Sequence, residues 1–155
     1  MKRYQWSDLN TQQVGAYAEY FVKMELTMFG FEVYTTEVDD RGIDFVARYE
    51  GGPFIEVQVK SLRKHGYVFM RKTNFPIRDS VYLALVLLFD GEAPDLYLVP
   101  ATTWAAPNGV FVDRDYDQPG QQSSPEWGIN VSRKNLAEIE VFRFESVVER
   151  MTRQL

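Results

Sequence analysis

The sequence predicts an α/β or α+β domain in which helices flank a mixed β-sheet. Near the N-terminus, apolar residues recur at three- and four-residue spacing, as on a helix that packs through one face. Short segments rich in β-branched and aromatic residues follow, and glycine-containing turns separate them. The longest unbroken apolar run, residues 81–89, is typical of a central strand that is covered on both faces.

The N-terminal helix is expected to begin at Asn10 or Thr11, either of which can cap it, and to end at Gly30. Strands separated by turns are expected next, because alternation of polar and apolar residues gives way to Gly, Pro and Asp clusters. The predicted strands cover residues 31–38, 43–49, 54–61, 67–70, 81–89 and 95–99, with turns at 39–42 and 50–53.

The C-terminal third of the chain gives weaker signals. A short helix is predicted to start at Pro100, and residues 105–126, rich in Pro, Gly, Gln and Ser, are predicted to form a mobile loop. Residues 128–131 are interpreted as an edge strand. Ser132 can cap a short helix, and a C-terminal helix is expected over residues 145–154.

Length and composition exclude several classes of protein. A chain of 155 residues, 45% of them hydrophobic, is expected to form one folded domain over residues 1–155. The apolar run at 81–89 is far shorter than the roughly 20 residues of a membrane span. The first residues lack the apolar core of a secretory signal, so we expect a cytoplasmic protein without membrane association.

The scarcity of cysteine and histidine excludes particular kinds of site. With no cysteine, the chain has no disulfide, thiolate metal site or cysteine nucleophile. Its one histidine, His65, excludes a multi-histidine zinc site and leaves little room for a Ser-His-Asp triad.

Positive charge is concentrated in one segment of an acidic protein. The net charge is −5, yet residues 57–78 contain six basic residues and no acidic one, which leaves −11 on the rest of the chain. Such segregation favours a local anion-binding face, although a solvated hairpin with chance clustering explains it equally well. If the segment binds nucleic acid, the expected contacts are Arg63, Lys64, Arg71 and Lys72.

Polar residues also interrupt strands that otherwise look buried. Asp44 lies between Ile43 and Phe45, and a later strand places Glu56, Gln58 and Lys60 on one face, about 6.6 Å apart for each two-residue step. Burying such groups is costly unless they pair or hold a metal ion. The alternative from alternation alone is that these three side chains form a solvated strand face.

The combination of these residues resembles a known family. Gly42-Ile43-Asp44, a turn and the segment 56–61 (Glu-Val-Gln-Val-Lys-Ser) resemble the core of the PD-(D/E)xK phosphodiesterases, the restriction-endonuclease-like nucleases. An upstream helical segment ending in Glu19 matches the same family, in which a helical glutamate commonly joins the site. The resemblance covers residues 11–62 and is greatest to small resolvase-like and homing-type members and to bacterial domains that share Val-Gln-Val-Lys-Ser.

This resemblance implies a restriction-endonuclease-like mixed sheet and a Mg²⁺-dependent endonuclease that hydrolyses phosphodiester bonds in DNA. Mn²⁺ is expected to substitute for Mg²⁺, RNA is not excluded as a substrate, and the small size implies a homodimer. The implied catalytic residues are Asp44, Gln58, Lys60 and Glu19, with Lys60 orienting or deprotonating the attacking water or stabilising transition-state charge. The implied metal ligands are Asp44, the Gln58 amide, the backbone carbonyl of Val59 and Glu19.

One departure from the family pattern leaves alternatives open. Gln58 occupies the position two residues before the lysine, where the family usually has an acid. An amide oxygen is a hard but neutral ligand, so the site has one negative charge fewer. The alternative is that Glu56 supplies the missing carboxylate. The competing hypothesis is a catalytically weak or inactive nuclease-like module that binds nucleic acid or a protein partner.

Aromatic residues interleave with the basic ones. Tyr67, Phe69 and Phe75 lie within the basic segment, a pattern that suits base stacking, although aromatic residues in strands more often belong to the core.

Overall fold

The structure is a computed structural model that describes residues 2–38 and 41–154. Among these residues one α-helix comes first, eight strands follow and two α-helices come last, so helices lie at both ends of a run of strands, as the sequence predicts. The helices are α1 (Thr11–Met28), α2 (Leu136–Glu140) and α3 (Phe144–Arg153), and the strands are β1 (Phe31–Thr35), β2 (Phe45–Tyr49), β3 (Ile55–Leu62), β4 (Gly66–Arg71), β5 (Val81–Leu87), β6 (Asp95–Pro100), β7 (Phe111–Arg114) and β8 (Glu126–Val131).

Helix α1 begins and ends where the sequence predicts. The Asn10 side chain accepts a hydrogen bond from the Gln13 backbone N–H, and the Gln13 side chain accepts one from the Asn10 N–H, which makes a capping box. Beyond the helix, Gly30 adopts a φ of +89°, a conformation that favours glycine and turns the chain into β1.

The larger sheet is mixed, as predicted. Its strand order is β1-β2-β3-β5-β6, in which only β3 and β5 run parallel to each other. Strand β5 lies between β3 and β6 and is buried on both faces, which confirms the central strand predicted from the apolar run. Strand β3, with its row of polar residues, is therefore also an interior strand of this sheet.

A second, three-stranded antiparallel sheet has the order β4-β8-β7, and two predictions need correction here. Strand β8 was expected at an edge, yet it pairs with β4 on one side and β7 on the other. Strand β7 lies inside the segment that was expected to be a loop. Four residues bounded by Pro- and Gly-rich segments give too short a pattern to be detected, and pairing to β8 stabilises the strand.

The two faces of the larger sheet are covered by different layers. Helices α1 and α3 pack on one face, and their buried side chains share a core with Phe45, Val57 and Ala84. The second sheet and α2 cover the other face through a core that contains Leu83, Leu85 and side chains of the smaller sheet. The larger sheet is thus the middle layer of the structure.

Smaller differences from the predictions lie at element ends. Strand β2 begins at Phe45 rather than residue 43, so Asp44 immediately precedes it. The predicted turn at 39–42 includes residues 39 and 40, which lie outside the described residues. The helix expected at Pro100 is a 3₁₀ helix, Ala101–Ala105. Among the described residues, no helix combines the length and the apolar character that crossing a membrane requires.

The capping box of α1 predicts a measurable contribution to stability. The substitution Asn10→Ala removes the side-chain acceptor of the Gln13 N–H. It should lower the free energy of unfolding by about 1 kcal/mol. Urea denaturation followed by circular dichroism measures this loss. Gln12 is exposed, lies two residues after Asn10 and takes no part in the capping box. Gln12→Ala should therefore change the free energy of unfolding by less than about 0.5 kcal/mol. Equal effects of the two variants would contradict a specific cap.

Candidate active site

The candidate site begins where strands β2 and β3 stop pairing. The last paired residues are Phe45 and Val57. Beyond this pair, the Val59 N–H of β3 donates to the Asp44 carboxylate over 2.6 Å. The Asp44 N–H in turn donates to the Val57 carbonyl over 3.0 Å. The Asp44 carboxylate therefore replaces a backbone acceptor of the ladder. This contact fixes the position of the acid relative to β3.

The turn before Asp44 is also sterically defined. Gly42 has a φ of +77°, and a Cβ atom at this residue would lie 2.9 Å from the Asn74 Cβ. A larger residue at 42 would thus be strained and would displace the segment at Asn74. Glycine at this position is required both by conformation and by space.

Gln58 provides an unusual buried oxygen. Its Oε1 atom is inaccessible to solvent and has no hydrogen-bond partner among the described residues. The residue is paired in register with Leu83 of β5, a strand whose side chains are almost entirely buried. A buried acceptor without a donor costs about 1–3 kcal/mol, so such an atom calls for an explanation, and a bound cation would provide one.

Lys60 and the Val59 backbone complete the group on β3. Alternation along the strand puts Lys60 on the same face as Gln58, and its side chain is half-buried. The Val59 carbonyl is directed to the same side of β3 as the Val59 N–H, which is the side that Asp44 contacts. The structure thus brings Asp44, which immediately precedes β2, next to Gln58 and the Val59 carbonyl of β3, with Lys60 one residue further along β3.

These donors fit a hard, oxygen-preferring cation such as Mg²⁺. One carboxylate, one amide oxygen and one carbonyl are suitable ligands, and Mg²⁺ usually keeps several waters besides its protein ligands. In the part of the chain that the structure describes, no group of three or more His, Cys, Asp or Glu side chains is arranged to hold a metal ion. The site therefore provides less negative charge than a cluster of acidic residues would.

Glu56, the alternative acidic ligand, has other partners. Its carboxylate accepts a hydrogen bond from Arg78 over 3.0 Å and another from the Ser80 hydroxyl over 3.1 Å. Both partners lie just before β5, so Glu56 links the beginnings of the two parallel strands. This engagement favours Gln58 over Glu56 as a ligand.

Glu19 lies on α1, which packs on the face of the sheet formed by Val57 and its neighbours. Its carboxylate is 2.8 Å from the ammonium of Lys23, one helical turn later. The Lys23 ammonium also lies 5.7 Å from the ring centroid of Phe45, the residue that follows Asp44. Sequence reasoning missed Lys23, although the four-residue spacing from Glu19 is the signal that could have found it.

The predicted nucleic-acid contacts differ in their surroundings. Arg63 donates over 2.5 Å to the Leu9 carbonyl and lines a cleft of about 380 Å³ with Ser7, Lys64 and Asp90. The Lys64 side chain is exposed. Arg63 thus holds the chain before α1 against the end of β3, while the Lys64 ammonium is accessible to an anion.

Lys72 is the most strongly paired of the four. It forms ion pairs with Asp113 and with Asp115, the latter over 2.6 Å, and its ammonium lies 3.9 Å from the Trp127 ring centroid. Burial acts to lower the pKa of Lys72, but the hydrogen bonds to the two carboxylates outweigh it and the pKa is raised. Lys72 therefore stays charged, with both acids competing against any phosphate.

No family model matches the sequence, and no curated protein matches it either. The fold, however, is shared with solved structures. One is Hjc, a Holliday junction resolvase from the archaeal hyperthermophile Archaeoglobus fulgidus, with a TM-score of 0.57 and 14% identity over 87% of this chain and 95% of that one. Another is the bacterial homing endonuclease I-Ssp6803I, with a TM-score of 0.53 and 18% identity over 76% of this chain and 89% of that one. The predicted fold class, a mixed β-sheet flanked by helices, is thereby confirmed.

The unpartnered oxygen predicts that Gln58 lowers the stability of the metal-free protein. Gln58→Met keeps the length of the side chain and removes the buried acceptor, so the free energy of unfolding should rise by about 1 kcal/mol. Urea denaturation in the presence of a chelator measures this change. The exposed Gln12→Met is the matched control and should stay within about 0.5 kcal/mol. A loss of stability in Gln58→Met would show that the amide is satisfied in the folded protein.

Proposed function

We propose that this protein is a metal-dependent endonuclease that hydrolyses phosphodiester bonds in DNA. The observation that carries the proposal is the buried Gln58 oxygen, which has no hydrogen-bond partner among the described residues. Gln58 directly precedes Val59, whose N–H donates to the Asp44 carboxylate, and lies two residues before Lys60. The resemblance of these residues to the PD-(D/E)xK pattern and a fold shared with a resolvase and a homing endonuclease support the same activity.

In this proposal Asp44, the Gln58 amide and the Val59 carbonyl hold Mg²⁺, and Mn²⁺ can substitute for it. When bound, the ion supplies charge neutralisation at the phosphate and lowers the pKa of a coordinated water. The helical Glu19 is a further candidate ligand, provided that it exchanges its ion pair with Lys23 for the metal.

Hydrolysis forms a bond between a water oxygen and phosphorus and breaks the bond between phosphorus and the leaving sugar oxygen. One water proton must be removed, and the leaving oxygen must gain one. Lys60 is placed to orient the water or to stabilise the negative charge that develops on the phosphoryl oxygens. The Asp44 carboxylate, held by the Val59 N–H, keeps its orientation without rearrangement during the reaction.

The second candidate function is a nuclease-like module that binds nucleic acid with little or no cleavage. The observation that favours it is the low negative charge of the site, where an amide replaces the usual second acid and Glu56 is held by Arg78. Fewer negative charges mean weaker attraction for a divalent ion. Metal-dependent cleavage by the purified protein separates the two functions.

We further propose that the active form is a homodimer, because cutting both strands of a duplex with one site per chain requires a second copy. Multi-angle light scattering of the purified protein, with and without DNA, tests this. A monomer under both conditions would exclude it.

Cleavage assays on two isosteric variants test the activity. Asp44→Asn and Lys60→Met should each reduce Mg²⁺-dependent nicking of supercoiled plasmid and cleavage of branched DNA by about 100-fold or more. Asp117→Asn and Lys134→Met, at exposed positions, are the matched controls and should cleave like the wild type. Thermal unfolding followed by circular dichroism checks that each variant is folded. Full activity in folded Asp44→Asn or Lys60→Met would refute the assignment.

A further inference from the structure

The outer face of the three-stranded sheet carries an unusual set of side chains. Along β4, Val68 and Met70 are buried against the core, whereas Phe69 and Arg71 are exposed and Tyr67 is half-buried. In register with them on β8 lie Asn130, Gly128 and Glu126. One face of β4 thus consists of two aromatic rings and an arginine.

The Tyr67 ring lies over Gly128 on the outer face of this sheet. A Cβ atom at Gly128 would lie 2.1 Å from the Tyr67 hydroxyl oxygen, so the ring occupies the space that a side chain on β8 would need. The Tyr67 hydroxyl donates to Glu126, which is only 6% exposed. Burial, followed by this hydrogen bond, raises the pKa of Tyr67, so the hydroxyl remains a donor at neutral pH. The ring is therefore fixed in position.

Phe69 lies next to Tyr67 on the same face of β4. Its ring centroid is 6.2 Å from that of Tyr67 with only 18° between the ring planes, and the residue is 46% exposed. The Arg114 guanidinium lies 4.2 Å from the Tyr67 centroid and forms the next part of the surface. We call Tyr67, Phe69, Arg71 and Arg114 the aromatic platform.

The charges on this face favour an anionic partner. Arg71 and Arg114 are exposed, and both lie in register with the buried Glu126, whose carboxylate accepts from Tyr67. The nearby Asp113 and Asp115 both pair with Lys72, which offsets one of their two negative charges. The exposed charged groups of this face itself are therefore Arg71 and Arg114, both positive, while Glu126 is buried beneath them.

We propose that the aromatic platform binds unpaired nucleotides of a single-stranded nucleic acid. Bases stack on the Phe69 ring and on the guanidinium plane of Arg114, and Arg71 contacts the phosphate backbone. Flat aromatic rings beside cations suit this ligand, because each base has a π-face and each nucleotide a phosphate. In an intact duplex the bases stack on one another, so the ring surface selects unpaired ones.

This inference does not depend on the proposed cleavage. Strand β4 follows β3 after three residues. Phe69 lies nine positions after Lys60 in the chain, so the two are at most about 32 Å apart. If both sites are functional, one protein can bind the duplex part of a branched or partly unwound DNA at the candidate active site and its unpaired nucleotides at the aromatic platform.

Binding of a fluorescein-labelled oligothymidylate of about 12 nucleotides, measured by anisotropy in a chelator, tests the platform without cleavage. Phe69→Ala and Phe69→Leu should each weaken binding by about five-fold or more, because the leucine keeps apolar area but has no π-face. The matched control is Phe54→Ala: Phe54 is 45% exposed and lies beside Tyr34 and Arg48, as Phe69 lies beside Tyr67 and near Arg114. This variant should bind like the wild type.

Two further measurements separate stacking from charge. With 2-aminopurine in the oligonucleotide, wild-type protein should quench its fluorescence, and Phe69→Ala should not. Arg71→Gln should reduce the slope of log affinity against log salt by about 0.7, whereas Phe69→Ala should lower affinity with the slope unchanged. Failure of the wild type to bind the oligonucleotide, equal effects of Phe69→Ala and Phe54→Ala, or equal affinity for a duplex of the same length would overturn the proposal.

Discussion

The arrangement of the candidate site depends on one hydrogen bond, from the Val59 N–H to the Asp44 carboxylate. Strands β2 and β3 separate after Phe45 and Val57, and an interior strand that loses its neighbour must find another acceptor for its backbone. Because a carboxylate on the preceding turn serves as that acceptor, the same contact completes the sheet and fixes an anion beside Gln58 and Lys60. Gly42, packed against Asn74, sets the backbone that makes this reach feasible.

Two of the basic residues between 57 and 78 are paired with acidic residues within the fold. Glu56 is paired with Arg78 before β5, and Lys72 lies between two carboxylates of the β7 region. A count of basic residues between 57 and 78 therefore overstates the free positive charge of that segment. The functional consequence is that the exposed Lys64 and Arg71 are better placed to meet an anion than Lys72 is.

Local patterns in the sequence predict the parts of the fold that depend on local interactions. The helical period and the Asn10 cap predict α1, and the uninterrupted apolar run predicts the central strand β5. Pairing over long distances is not encoded in any short window. Strand β8 was predicted to be an edge strand. It is central because it pairs with β7 on one side and with β4, far away in the chain, on the other.

For the candidate site, the sequence predicted which residues lie close together but not the partners of their side chains. The spacing of Asp44, Gln58 and Lys60 identified the residues that the structure places on adjacent strands. Two features required the three-dimensional arrangement: the pairing of Glu56 with Arg78, and the absence of a partner for the Gln58 oxygen among the described residues. The first depends on a contact between β3 and the region before β5, and the second on the burial of Gln58 beside Leu83 of β5. Spacing within β3 reveals neither.

The central claim is that Gln58 rather than Glu56 is the metal ligand, and calorimetric titration with Mn²⁺ tests it most directly. Gln58→Ala should weaken Mn²⁺ binding well beyond Glu56→Ala, whose carboxylate belongs to Arg78 and Ser80. Gln58→Glu should strengthen binding, because it adds a negative charge at the same position. The reverse order, with Glu56→Ala the damaging change, or binding that is insensitive to all three substitutions would contradict the account.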